Sequence, residues 1–294
     1  MRKARGFTLL FLSPWLIGFL GLMLVPLLVA LYWSFTNYDV FQAPQWVGLQ
    51  NYIAIIHDPI FWQSVGNTLY ITVIGVPTGI IAGLGTALLL EKPIRGMGFY
   101  RAAIFLPTIV PPVAVAIVWL WILNPDYGLL NAILGVFHIR PLGWLNDPHL
   151  AKVSLLMMVV WGMTGQIMIV MLAGLKDVPV ELYEAAMIDG ASSWNRFRKI
   201  TLPMIGPVIF YEVVVGVIFY LQFFTQAFVV TANNLGEPVN STLFYALYLY
   251  QNAFDFQKMG YAAAMAFILF IVIVIVTMLL FWINRRVVFY GGGE

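Results

Sequence analysis

Six long apolar stretches constrain this chain more than any other feature of its sequence. They run over residues 10–35, 68–90, 102–123, 153–175, 204–231 and 261–283. A helix rises about 1.5 Å per residue, so roughly 20 apolar residues match the ~30 Å hydrocarbon layer of a bilayer. Within that layer each backbone N–H and C=O must be satisfied without water, which leaves helices as the spanning form for stretches of this length. The predicted fold class is therefore all-α, a polytopic membrane protein with six transmembrane helices. Composition agrees, with 62% hydrophobic residues, 10% charged residues and a mean hydropathy of +0.90, far from the balance of a soluble domain.

Organisation along the chain is simple. The loops Thr36 to Asn67, Asn124 to Lys152 and Ala232 to Gly260 are too short for separate domains, so residues 1–294 read as a single transmembrane domain. The first stretch follows Arg2, Lys3 and Arg5 but is too long for a secretory signal and lacks a small-residue cleavage pattern, which predicts a retained first span. Of the 15 Lys and Arg, only Arg140, Lys152 and Lys258 fall on one side of the predicted spans, leaving twelve on the other. The positive-inside rule then puts both termini and the loop 176–203 in the cytoplasm.

Several function classes are excluded. There is no cysteine, hence no thiolate nucleophile or cysteine metal ligand. His57, His138 and His149 lack a paired spacing with carboxylates on one helix face, so no metal site is expected. No G-x-x-x-x-G-K-[ST] phosphate loop occurs, and the basic residues cluster at span ends rather than forming a nucleic-acid surface. No serine with a His or Lys base and no paired aspartates occur within the spans, so an intramembrane enzyme is not expected and no cofactor is predicted on this chain.

Three features inside the spans stand out. Gly75, Gly79 and Gly83 recur every fourth residue, with Ala87 continuing the stripe, as expected of a face where helices pack closely. Pro107, Pro111 and Pro112 interrupt the third stretch, each removing an amide donor, which favours kinks beside protein or water rather than lipid. Glu212 is an intramembrane carboxylate, costly unless paired or wet. It admits three readings: a proton relay, a side chain snorkelling to water, or a partner for another subunit.

The segment EAAMIDGASSWNRFRKITLP, Glu184 to Pro203, narrows function furthest. Pro179 suits the first turn of a helix, Leu182, Ala185, Ala186 and Asp189 fall on one side at helical spacing, and Gly190 can close it in a left-handed cap. Small Ala185 and Ala186 admit a close partner backbone, while Glu184 and Asp189 offer carboxylates to a cationic groove, a surface for docking rather than catalysis.

The spacing of Glu184, Ala185, Ala186, Gly190, Ile200, Leu202 and Pro203 resembles the EAA loop of permease subunits of bacterial ATP-binding-cassette importers. The stretches LFLSPWLIGFLGLMLVPLLVALYWSFTNYD, PQWVGLQNYIAIIHDPIFWQSVGNT and FYRAAIFLPTIVPPVAVAIVWLWILNPDYGLLN look like blocks of the carbohydrate-type permeases, including those for maltose, lactose and glycerol phosphate. So does the segment from Thr231 through Pro238 to Ser241 and Thr242, although ANNLGEP stands where such permeases often show a Gly-Gly-Pro turn. The resemblance implies a type I importer fold with a cytoplasmic coupling helix, and a bacterial inner or plasma membrane location. It assigns ATPase coupling to Glu184, Ala185, Ala186, Asp189, Gly190, Ile200, Leu202 and Pro203. It further implies a second, homologous permease, two cytoplasmic ATP-binding-cassette subunits that carry ATP and Mg, and an extracytoplasmic sugar-binding protein.

In the maltose-type importer the sugar contacts come from the helices flanking this loop. Positions equivalent to those contacts fall near Val159, Gly162, Met163, Gln166, Gly216, Phe219, Tyr220 and Phe223, most with different residue types here. Amides supply hydrogen bonds to sugar hydroxyls and aromatic faces cover C–H surface, without the cost of buried ions. On that chemistry Trp161, Gln166, Phe219, Tyr220, Gln222, Phe223 and Gln226 are the expected substrate path, although each glutamine could equally bond between helices. The expected function is sugar import by alternating access, coupled to separate ATPase subunits. The alternative, a proton-coupled secondary transporter or channel, would require several intramembrane ionisable residues or inverted repeats, and only Glu212 qualifies.

Overall fold

The computed structural model describes residues 11–92, 95–231 and 235–287, with side chains to Asn284. Arg2, Lys3, Arg5, Leu10, the side chains of Arg285 and Arg286, and residues 232–234 of the ANNLGEP segment lie outside the described residues and side chains. Among the described residues the structure is helical, with one isolated antiparallel bridge between Thr36 and Trp46 and no strand. We number the helices in chain order: α1, Phe11–Ser34; α2, Gln50–Ile56; α3, Pro59–Glu91; α4, Met97–Ile109; α5, Pro112–Ile122; α6, Leu129–Val136; α7, Pro148–Lys176; α8, Val180–Ile188; α9, Ser193–Arg196; α10, Gly206–Leu221; α11, Thr225–Val230; α12, Tyr245–Tyr250; and α13, Met259–Val287.

Among the described residues, five stretches are long and apolar enough to cross a membrane: α1, α3, α7, Gly206–Val230 (α10 with α11) and Met259–Asn284 of α13. The third expected span, 102–123, is not one helix. It is two, α4 and α5, bent by 101°. At 13 and 11 residues they rise only about 20 and 16 Å, short of a bilayer each. Local chemistry accounts for the break: Val110, preceding a proline, is extended (ψ 132°), Pro111 is extended too (ψ 137°), and Pro112 then opens α5 at its first turn. Two prolines side by side turn the kink expected from sequence into a corner. The second expected span is also longer than read, because α3 starts at Pro59 and runs 33 residues, about 50 Å, well beyond the hydrocarbon layer.

The chain divides into two compact units. The first comprises the described residues up to Trp62 together with Leu249–Val272. Its anchor is Asn51, whose amide donates to the carbonyls of Ser34 (2.9 Å) and Thr36 (2.8 Å), while the Tyr52 hydroxyl donates to Ser34 Oγ (2.8 Å). Tyr261 donates to Asp58 Oδ2 (2.8 Å), and the Gly260 amide to the Tyr38 carbonyl (2.9 Å), closing α13 onto the 37–58 segment.

The second unit comprises Gln63–Tyr248 and the described residues from Ile273 onward. Its core is a buried cluster of Ala87, Leu90, Ile167, Met168, Met171, Leu172, Leu175, Val178 and Ile205, drawn from α3, α7, the link from α7 to α8 and the segment before α10. The glycine stripe of α3 makes this approach possible. A Cβ at Gly83 would strike the Ile167 side chain of α7, and one at Gly75 the Tyr220 ring of α10. Gly165 of α7 is equally tight, its absent Cβ lying 2.6 Å from the Ile104 carbonyl oxygen of α4. Thr108 Oγ1 of α4 donates to the Gly162 carbonyl there (2.9 Å). Small residues let backbones meet, the packing logic expected in lipid. Glu212 is 5% exposed, between Val208, which packs against Gly174, and Gly216, which packs against Val76.

Candidate functional site

The loop 176–203 is built from the core outward. Val178 is buried in the core cluster, Pro179 occupies the N-cap of α8 with extended backbone (ψ 130°), and Val180 begins the helix. Gly190 (φ +74°) closes it: the Ala191 amide reaches the Ala186 carbonyl (2.8 Å) and the Gly190 amide the Met187 carbonyl (3.0 Å). These paired bonds form a Schellman motif, whose left-handed residue glycine adopts without steric cost. The Ser192 hydroxyl then accepts from the Asn195 amide (3.3 Å) and starts α9.

The two-turn α8 has two faces. Tyr183 and Ala186 are half-buried and turn inward, whereas Glu181, Leu182, Glu184, Ala185, Met187 and Ile188 are exposed. Sequence spacing had grouped Ala186 with Leu182, Ala185 and Asp189; the structure turns Ala186 toward the body of the protein and leaves the other three outside. Ile188, 87% exposed, shares the outward face with Glu181, Glu184 and Ala185. It was overlooked as a site residue, although its i+4 position from Glu184 carries the signal. An isoleucine so placed costs apolar exposure unless covered.

From α9 the chain enters a π-turn over Phe197–Thr201, in which the Leu202 amide reaches the Phe197 carbonyl five residues back. Ile200 and Leu202 pack against the core cluster, Ile205 is fully buried within it, and Pro203 is exposed. Tyr183 packs against the same cluster, and its hydroxyl lies 2.9 Å from Thr201 Oγ1.

The residues expected along a substrate path are not all on one surface. Trp161 lines a cavity of about 380 Å³ together with Thr78, Trp119, Val153, Met157 and Val160. Its ring meets Trp119 edge to face at 6.0 Å, and the Trp119 Nε1–H is buried with no hydrogen-bond partner among the described residues. Gln166, five residues on, is exposed on a side of α7 rotated by about 140° from Trp161. Tyr220 is buried against Gly75, and Phe223 is buried edge to face with Phe244 at 5.0 Å, so both serve packing. Phe219 meets Tyr220 edge to face at 5.3 Å and is half-buried, as is Gln226. Gln222 is exposed and its amide reaches back to the Ile218 carbonyl at 3.4 Å.

Gln222 also marks a break in the helix. α10 ends at Leu221 and α11 begins at Thr225, with Phe224 outside helical geometry (φ −142°, ψ −61°). Irregular backbone at membrane depth is tolerated where protein or a water-filled cavity covers it. A second cavity, of about 430 Å³, is lined by Leu120, Asn124, Asn146, Thr231, Glu237 and Thr242 among others. Among the described residues no group of three or more His, Asp or Glu side chains is placed to hold a metal ion.

Long apolar helices, one broken apolar pair and a tethered, outward-facing two-turn helix between α7 and α10 define a polytopic helical membrane protein. The chain belongs to the binding-protein-dependent transport system inner membrane components, whose family pattern matches residues 75–289. As a member of that family it is a transport subunit. It is 38% identical over 287 residues to the "Probable ABC transporter permease protein YesP" of Bacillus subtilis (strain 168), covering 97% of this chain and 92% of that one. It is 36% identical to the lactose transport system permease protein LacF of Rhizobium radiobacter, covering 81% of each. To the trehalose/maltose transport system permease protein MalF of Thermococcus litoralis it is 32% identical, covering 90% and 92%. Among solved structures, a chain of the bacterial alginate ABC transporter in complex with alginate pentasaccharide-bound periplasmic protein has the same fold. The TM-score is 0.84, over 97% of this chain and 96% of that one, at 21% identity.

Proposed function

We propose that this chain is the permease subunit of an ATP-driven, binding-protein-dependent carbohydrate importer. It pairs with a second, homologous permease, two cytoplasmic ATP-binding-cassette subunits that hold ATP and Mg, and an extracytoplasmic sugar-binding protein. Both termini and the loop 176–203 face the cytoplasm. The observation that carries this reading is α8: a rigidly capped helix whose outward face, Glu181, Glu184, Ala185 and Ile188, is left uncovered by the described residues of its own chain. Its inward face is seated on the core that also anchors α10. Nucleotide-driven movement of the ATPases displaces α8, and α10 follows, so the spans exchange inward-open for outward-open access. A partner can bias that exchange only through differential affinity for the two states.

The sugar class is supported by the relatives whose names specify lactose and trehalose/maltose, and by the aromatic and amide chemistry of Trp161, Phe219, Gln222 and Gln226. The test is purification in mild detergent from native membranes, with identification of companions, an ATPase assay and an uptake panel of radiolabelled disaccharides. Recovery of a second permease and an ATP-hydrolysing subunit is expected. Glu184→Lys is expected to insert normally yet lose sugar uptake, since it sets a cation against a basic groove; unimpaired uptake by that variant would overturn the docking assignment.

A further inference from the structure

We infer that Tyr183 and Thr201 form the latch through which α8 moves the fifth apolar span, an inference that rests on the docking reading above. Of the nine residues of α8, only Tyr183 and Ala186 turn inward, and Ala186 offers a single methyl group. Among the side chains of α8, Tyr183 is therefore the main route by which load at Glu184 and Ile188 reaches the segment before α10. The tyrosine meets the chain at two levels: its ring packs against the cluster containing Leu175, Val178 and Ile205, and its hydroxyl lies 2.9 Å from Thr201 Oγ1.

Thr201 is 5% exposed and ends the π-turn that leads into α10. Its carbonyl accepts the Ile205 amide (3.0 Å), so its backbone is committed to the segment that starts the span. Val178, buried in the same cluster, ties the start of α8 to α7, but the direct chain link from α8 to the π-turn is pliable by comparison, since Gly190 and the exposed residues Ser192 to Asn195 separate them. A π-turn carries one residue more than an α-turn and is a frequent site of local rearrangement. A hydroxyl pair across it fixes the orientation of α8 relative to α10, whereas the apolar contacts alone permit sliding.

The test uses the full complex. The chain has no cysteine, so thiols introduced at Met187 and Tyr211, both exposed, take spin labels selectively in it. The distance between them is read nucleotide-free and after trapping with ATP and vanadate. The wild type is expected to hold one narrow distance in both states. Tyr183→Phe, which removes the phenolic hydroxyl, and Thr201→Val, which replaces the hydroxyl by a methyl group, are expected to lose it in the trapped state while still recovering the ATPase. The double variant is expected to go no further than either single one, and Thr201→Ser, which keeps the hydroxyl, to retain the narrow distance. A docked complex in which Tyr183→Phe keeps the narrow distance overturns the latch and leaves docking intact. A wild-type chain that recovers no ATPase overturns docking, and the latch with it.

Discussion

Single residues carry much of what holds this protein together, and glycines most of all. Gly165 permits α7 to touch the α4 backbone, with the Ile104 carbonyl 2.6 Å from where a Cβ would stand. Backbone cannot yield as a side-chain tip can, so Gly165→Ala is expected to cost about 1–3 kcal/mol, read as a lower melting temperature in detergent. Asn131 is the polar counterpart: it donates to the Pro125 and Leu142 carbonyls and accepts from the Leu142 amide and Trp144 Nε1. Asn131→Ala leaves several partly buried groups unpaired at about 1–3 kcal/mol each, and limited proteolysis between 124 and 147 is expected to accelerate. The glycine stripe of α3 was legible from spacing. The role of Asn131 was not, because its partners lie in loop backbone that no periodicity marks.

At the scale of elements, α8 was the most legible part of the chain and the third span the least. Gly190 at φ +74° ends α8 as its position predicted, since the backbone there needs a residue without a Cβ. Gly190→Ala is expected to cost about 1 kcal/mol and to weaken recovery of the ATPase, whereas an alanine at exposed Ser193 is expected to leave recovery unchanged. Which side of α8 faces out was half legible. Glu184 and Ala185 are outside, but Ala186 is inside because Tyr183, one turn earlier, seats that face on the core. The 101° corner between α4 and α5 was foreshadowed by Pro111 and Pro112, yet a hydropathy window averages across a break and reads one continuous span.

For the whole molecule, orientation is the property most directly open to measurement. A single cysteine at Asn195, exposed on α9, is expected to react with a membrane-impermeant maleimide only in inverted vesicles. One at exposed Tyr127 is expected to react only when the opposite face is presented. The reverse pattern would refute the topology drawn from the lysines and arginines. Helical class, the membrane setting, the length of most spans and the place and cap of α8 all followed from the sequence itself, because hydropathy, proline, glycine and charge act through local rules: a bilayer demands apolar length, and a left-handed cap demands glycine. The pairing of Tyr183 with Thr201, the separation of Trp161 from Gln166, the burial of Tyr220 and Phe223 and the indole-lined cavity around Trp119 were decided only in three dimensions. Each depends on which faces of distant helices meet, and that is set by close packing among many side chains at once.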